Sequence, residues 1–276
     1  MSEVKSRILE LRNLIIEHNH NYYDLDKNLI SDFEYDNLIN ELIKLENQYP
    51  EFQDQNSPSR RVGGGLSDKF NSESHIFQMY SLDNTYSDTE LETWFNRIVK
   101  LIQVDDFEFC CELKYDGASV NLLYEDGQLV RALTRGDGYQ GDNITNNLKT
   151  INSIPLKLKN KFFPNKFEIR GEIIIPSDAF NSLNEKRKQI GLPLFMNPRN
   201  TASGSIKLLD SKEVARRPLE CFLYSLVSND ININNHSELL DSARNMGFNV
   251  PNYEKVVKGL DGVKKMSKSL NNYIAI

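Results

Sequence analysis

Cysteine is scarce in this sequence. Cys110, Cys111 and Cys221 show no Cys-x-x-Cys spacing, and His18, His20, His75 and His236 are scattered, so neither a zinc site nor a disulfide framework is expected. A reducing, cytoplasmic setting fits three thiols without a pattern. An excess of positive charge is also missing. With 33 basic against 39 acidic residues and a net charge of −6, the chain is not coated for nucleic-acid binding, although a local basic face is not excluded. Nor is there an unbroken apolar run of membrane-spanning length or a signal-like h-region near Met1, so neither membrane insertion nor secretion is expected. No internal repeat is visible. The Asn-rich stretch 229–235 reads as a solvated loop. At 276 residues the length suits about two domains, with a core that needs no staples.

What is present centres on Glu112-Leu113-Lys114-Tyr115-Asp116-Gly117. The preceding run partly alternates as a strand does, with Phe109, Cys111 and Leu113 on one face and Glu112, Lys114 and Asp116 on the other. Ionisable side chains sharing one direction, closed by a glycine that permits a tight turn, point to a reaction site more than to a solvated strand end. Alone, Lys-x-Asp-Gly is too short to decide.

Upstream, Val4, Ile8, Leu11 and Ile15 recur at helical spacing. A second helix opens at Ser31-Asp32-Phe33-Glu34, where Ser31 and Glu34 have capping-box spacing, and runs through Leu38, Leu42 and Leu45. Its first turn places Asp32, Tyr35 and Asp36 on one side, with Tyr22 and Tyr23 shortly before. Two carboxylates and aromatic rings suit a flat cation, while acids at a helix N-terminus also simply favour the dipole. Ser57 to Gly65 reads as a loop, and the boundary is placed near residue 68, giving a helical domain over 1–68 and a second domain over 69–276. Ser87 and Glu90 open a third helix with Leu91, Trp94, Ile98 and Leu101 as its expected buried stripe.

Beyond Gly117, residues 118–124 and 128–135 read as strands joined by Asp126-Gly127, which sets Arg135 opposite Ala118 and returns it to the Lys114 site. The glycines of Gly136-Asp137-Gly138-Tyr139-Gln140-Gly141 can bring backbone close to a ligand. A strand over 167–175 places Glu168, Arg170 and Glu172 on one face, with an Arg170–Glu172 ion pair as the plain alternative to a site. Arg199 and Lys207 suit either phosphate contact or ordinary surface. A helix from Pro176, a strand over 221–226, a helix from Ser237 and a basic helix over 258–272 complete an α+β alternation.

Together these segments resemble the N-terminal part of bacterial NAD-dependent DNA ligases over essentially the whole chain. Lys114-Tyr115-Asp116-Gly117, preceded by Glu112, matches that family's nucleotidyltransferase motif. Thr134 to Gly138, Arg170-Gly171-Glu172, Ser81-Leu82-Asp83-Asn84 and Asn197-Pro198-Arg199-Asn200 match its further motifs in order. The resemblance implies a small helical domain followed by an ATP-grasp-like adenylation domain with antiparallel sheets and flanking helices. It implies Lys114 as the nucleophile that takes AMP from NAD and releases nicotinamide mononucleotide (NMN). Tyr22, Tyr23, Asp32, Phe33, Glu34, Tyr35 and Asp36 would hold the NMN half. Glu112 would contact adenine and Ser81 and Leu82 the adenosine pocket, with Leu113 a further NAD-binding residue. Arg135 would face ribose and phosphate, Glu172 the ribose or the active centre, and Asp116 and Arg199 the nucleotide site. Mg²⁺ is the implied metal, with no protein ligands assigned. Nicked duplex DNA is the implied partner of the full-length enzyme, and a monomer is expected.

A free lysine is less than roughly 0.1% neutral at pH 7, so reactivity needs desolvation or nearby positive charge, and the surrounding carboxylates oppose this. Departures from the family pattern are Asp142-Asn143 in place of Glu-Asp, Lys207 in place of Arg, and the absence of the downstream Asp-Gly-x-x-x-Lys and later lysine motifs. Impaired self-adenylation is therefore expected, with a non-catalytic NAD or NMN sensor as the alternative. Lys265-Met266-Ser267-Lys268-Ser269 spells an aminoacyl-tRNA synthetase signature, but His75-Ile76-Phe77-Gln78 is not the His-x-Gly-His element that family also needs.

Overall fold

The computed structural model describes residues 2–19, 21, 29–52, 57–60, 70–104, 106–158 and 163–270. Tyr22, Tyr23 and the expected boundary near residue 68 lie outside them. Helices α1 (Ser2–Asn19) and α2 (Asp32–Gln48) pack on each other through Ile8, Leu11, Ile15 and Leu42, all fully buried. Burying each such side chain contributes about 1.5–3 kcal/mol. The pair is clamped by Arg7, whose Nε and Nη2 each donate to Glu41 at 2.8 Å, and by Arg12, whose Nε donates to the buried Glu46 at 2.9 Å. Ser31 caps α2 as expected: its hydroxyl accepts from Glu34 N while the Glu34 carboxylate accepts from Ser31 N at 2.8 Å.

The larger part is built on a four-stranded antiparallel sheet ordered β4-β3-β6-β7, from β3 (Ala118–Glu125), β4 (Gln128–Thr134), β6 (Lys166–Ile174) and β7 (Glu220–Val227). Two ribbons flank it: β1 (Ser72–Ser74) with β5 (Gln140–Asp142), and β2 (Glu108–Cys111) with β8 (Lys255–Lys258). The helices of this part are α3 (Asp88–Ile102), α4 (Thr145–Leu148), α5 (Ser177–Gln189), α6 (Pro198–Ile206), α7 (Ser211–Ala215), α8 (His236–Asn245) and α9 (Gly259–Leu270). One core under the sheet stacks Tyr124 on Phe167 at 5.3 Å and sets Phe248 edge-on to both.

Three expectations change here. The hairpin turns at Asp126 (φ 47°) and Gly127 (φ 71°) as its sequence demands, but a bulge between Leu123 and Tyr124 moves the register by one. Arg135 therefore donates its N–H to Ser119 O at 3.1 Å, and Ala118 is not its partner. The stripe of α3 is not fully buried, and Leu101 is 76% exposed. The helix packs against the two-stranded β2–β8 ribbon, through Trp94 on Phe109 and Phe95 on Phe107, each at 5.4 Å, and a ribbon that narrow cannot cover it. Finally, Arg170 forms no ion pair with Glu172. Its Nη2 donates to the carbonyls of Phe77 and Gln78 at 3.1 and 2.8 Å. The stretch Lys265 to Ser269 is plain helix within α9, with Met266 buried and Lys268 near Asp88 of α3.

Candidate active site

Strand β2 ends at Cys111, so Glu112, Lys114 and Asp116 lie in the link to β3 and not on one strand face. The link is pinned at Gly117. A Cβ there would sit 2.1 Å from Ile173 O, so only glycine lets this segment lie against β6. Its N–H donates to Glu172 Oε1 at 3.2 Å. Lys114 and Asp116 are exposed, and Asp116 Oδ1 meets Arg199 Nη1 at 3.1 Å. Arg199 is delivered by the start of α6, where Asn197 caps the helix and Pro198 occupies its first turn. Burial pushes the Glu172 carboxyl up to about 7, while Lys114, the Gly117 N–H and Arg199 pull in the opposite direction. The structure thus brings Lys114, Asp116, Glu172 and Arg199 into one electrostatic cluster. Across the sheet, Ser119 pairs with Glu172 and carries Arg135 on its other side, so Arg135 stands in the same row.

On the other side of the link, Glu112, Leu113 and Tyr115 line a pocket with Leu223, Tyr224, Pro251, Tyr253 and Glu254. Tyr115 is edge-on to Phe222 at 4.8 Å, and burial pushes its hydroxyl up to about 12. Tyr224 OH and Ser119 Oγ are 2.9 Å apart. Glu112 Oε1 meets His236 Nε2 at 2.6 Å, which raises the imidazole above its ordinary value despite burial. His236, Tyr224 and Tyr253 were not found from sequence. Tyr224 sits in an ordinary alternating strand, and His236 follows a helix cap 124 residues from its partner, so no local pattern marks either.

Ser81 and Leu82 are exposed, and neither lines the pocket. The segment before them is fixed from β6, where the buried Glu168 accepts from Ile76 N and Phe77 N at 2.9 and 3.1 Å. His75 accepts at Nδ1 from Asn121 Nδ2 and donates from Nε2 to Arg135 O, both at 3.0 Å, while burial lowers its pKa. Gly136 (φ 56°) serves the chain's own turn, because a Cβ there would meet Gln140 O at 1.9 Å. The glycine loop is closed on itself and on Met79, whose N donates to Gly138 O at 2.9 Å. Lys207 is committed to the buried Asp142 at 3.0 Å.

At the start of α2, Asp36 Oδ2 accepts from Asn84 Nδ2 at 2.7 Å and from Tyr86 OH. Phe33 meets Tyr86 edge-on at 4.7 Å. Glu34 is occupied by the cap, and Tyr35 packs against the α1–α2 core. Asp32 begins the helix, but its side chain lies outside the described residues.

Cys110, Glu112 and His236 are the one group of three potential metal ligands among the described residues, their ligand atoms lying within 4.8 Å of one another. Glu112 and His236 are already committed to each other, so the set is an ion pair beside a thiol. Its sulfur and nitrogen would not suit magnesium, which prefers oxygen ligands. The chain offers no cage of carboxylates for that metal among the described residues. No described helix is long and apolar enough to cross a membrane.

Residues 67–273 match a family model described as the NAD-dependent DNA ligase adenylation domain, and residues 1–63 one described as the DNA ligase-like, N-terminal NAD+-binding domain. A DNA ligase of Christiangramia forsetii is 53% identical over 249 residues, covering 90% of this chain and 37% of the relative. DNA ligases of Flavobacterium johnsoniae and Phocaeicola vulgatus are 50% and 47% identical, covering 94% and 95% of this chain and 39% of each relative. The chain thus spans well under half the length of the curated relatives it matches.

Proposed function

Because this chain belongs to the NAD-dependent DNA ligases and carries their N-terminal NAD+-binding and adenylation domains, we propose that it transfers AMP from NAD to Lys114. The observation that carries this reading is the setting of Lys114. Its charge acts on Glu172, whose carboxyl burial pushes up to about 7, in one electrostatic cluster with the Arg199–Asp116 pair, and its segment borders an aromatic-walled pocket. Lys114 Nζ attacks the α-phosphorus of NAD, a P–N bond forms, the P–O bond to the NMN phosphate breaks, and NMN leaves with that oxygen. The amine sheds a proton, and a carboxylate poised near pH 7 within reach of its charge is suited to accept it. Arg199 and Arg135 supply positive charge for the phosphates. We assign no step to magnesium, for which the described residues present no ligand set.

In the same reading, residues 1–68 form the NMN-holding module, with Tyr22, Tyr23, Asp32, Phe33, Glu34, Tyr35 and Asp36 around the nicotinamide, and residues 69–276 the adenylation domain. Glu112, Leu113, Ser81 and Leu82 would serve the adenosine half. Transfer of AMP to nicked duplex DNA, and the sealing step of replication and repair, are proposed for the whole protein. The cytoplasm is the compartment that the free thiols Cys110, Cys111 and Cys221 fit, and a monomer is the proposed state. Intact-mass measurement after incubation with NAD and magnesium tests the proposal: a single AMP adduct on Lys114, formed slowly and with matching NMN release, is expected. NAD binding with no adduct would turn the reading toward a non-catalytic sensor.

A further inference from the structure

His236 lies outside every sequence motif, yet it makes the shortest described contact to Glu112. It is the first residue of α8, directly after the cap Asn235, where a cationic side chain opposes the helix dipole. Its location gains nothing for the helix and is accounted for by its partner, since Nε2 lies 2.6 Å from Glu112 Oε1. The bond ties α8 to the segment that continues into Lys114. It uses one oxygen of Glu112, and the other has no partner among the described residues. Glu112 lines the pocket together with Tyr115, Tyr224 and Tyr253, walls suited to a flat heteroaromatic base.

We propose that His236 is a positioning residue for base selection: it holds the Glu112 carboxylate so that its free oxygen accepts the exocyclic amine of adenine. This rests on the reading of the pocket as the nucleotide site. A carboxylate offers only acceptors, so it welcomes the 6-amino group and repels the 6-oxo group of hypoxanthine. A freely rotating Glu112 would read that difference poorly, because it could turn away from an unfavourable base at little cost.

The groups that face His236 are Glu112 and Cys110 from the β2 side, and Glu254 from the segment before β8, itself bound to Arg244 of α8 at 2.5 Å. Glu112 and Glu254 both favour the imidazolium and burial opposes it, with a raised pKa as the net result. Base selection is therefore strongest while His236 is protonated. It weakens as pH climbs through that raised value and the contact becomes a neutral N–H donating to the carboxylate.

The test is equilibrium binding of AMP and of IMP to the full chain by calorimetry, in wild type, His236→Ala and His236→Gln. At pH 7 wild type should favour AMP by at least about tenfold, the scale of one charge-assisted hydrogen bond. His236→Ala should cut that preference at least about fivefold while leaving IMP affinity within about twofold. Glutamine places a donor the same number of bonds from Cβ, so His236→Gln should restore most of the preference but lose its decline between about pH 6 and about pH 9. Equal loss of AMP and IMP affinity in His236→Ala would mean a merely structural role and overturn the proposal. So would a preference left at the wild-type value. A wild-type chain that binds AMP and IMP alike would instead refute the nucleotide reading of the pocket.

Discussion

Replacing Glu172 with glutamine should change how stability depends on pH, and the structure gives the size of the effect. Burial lifts this carboxyl from its ordinary 4.5 to about 7, so the folded chain holds a proton that the unfolded chain has released. Between those two values the native state binds more protons, and the free energy of unfolding falls as pH rises. Above about 7 both states are ionised and the loss is complete. At 1.36 kcal/mol per pH unit the full effect is at most about 3 kcal/mol. Glu172→Gln removes the titration while keeping an oxygen to accept the Gly117 N–H. The variant should match wild type within about 1 kcal/mol near pH 4.5 and exceed it by about 2–3 kcal/mol at pH 8. Urea unfolding followed by the fluorescence of Trp94, the sole tryptophan, measures this, since that ring packs on Phe109 at the ribbon that leads into the site. His75, lowered by burial, and His236, raised by Glu112, are present in both proteins and cancel in the difference curve, which isolates Glu172. A constant difference across pH 5–8 would refute the account of Glu172 as a carboxyl destabilised by burial.

Lys114→Ala should abolish the AMP adduct while leaving the urea midpoint nearly unmoved, because the side chain is exposed; an adduct persisting in the variant would place the nucleophile elsewhere. Gly117→Ala should cost about 3 kcal/mol or more in urea unfolding, since its Cβ would fall 2.1 Å from Ile173 O, which is backbone and cannot step aside; a loss under about 1 kcal/mol would contradict that contact. Tyr86→Phe removes one of the two groups bonded to Asp36 among the described residues, so NMN titration should show binding tightened by up to about fivefold if Asp36 serves the nicotinamide, and unchanged or weaker binding would count against that role.

Much of the architecture could be read locally because its causes are local. The Ser31–Glu34 capping box, the apolar stripe of α1 and the Asp126-Gly127 turn are set by neighbours within a few residues, and all appear where expected. The one-residue bulge at Leu123/Tyr124 was not legible, since it is set by pairing with a strand on either side. The same holds for α3, whose stripe is periodic enough for burial but meets a ribbon only two strands wide.

The candidate site divides in the same way. Lys114 was legible from the order of its neighbours along the chain, and Gly117 is required because the link lies against β6 with no room for a Cβ. Only the tertiary structure decided that Glu172 is buried enough to hold a proton near neutrality, that Arg199 faces Asp116, and that Glu112 is held by His236. Those facts come from residues dozens to more than a hundred positions apart. Desolvation and ion pairing depend on distance in space, which no spacing along the chain encodes.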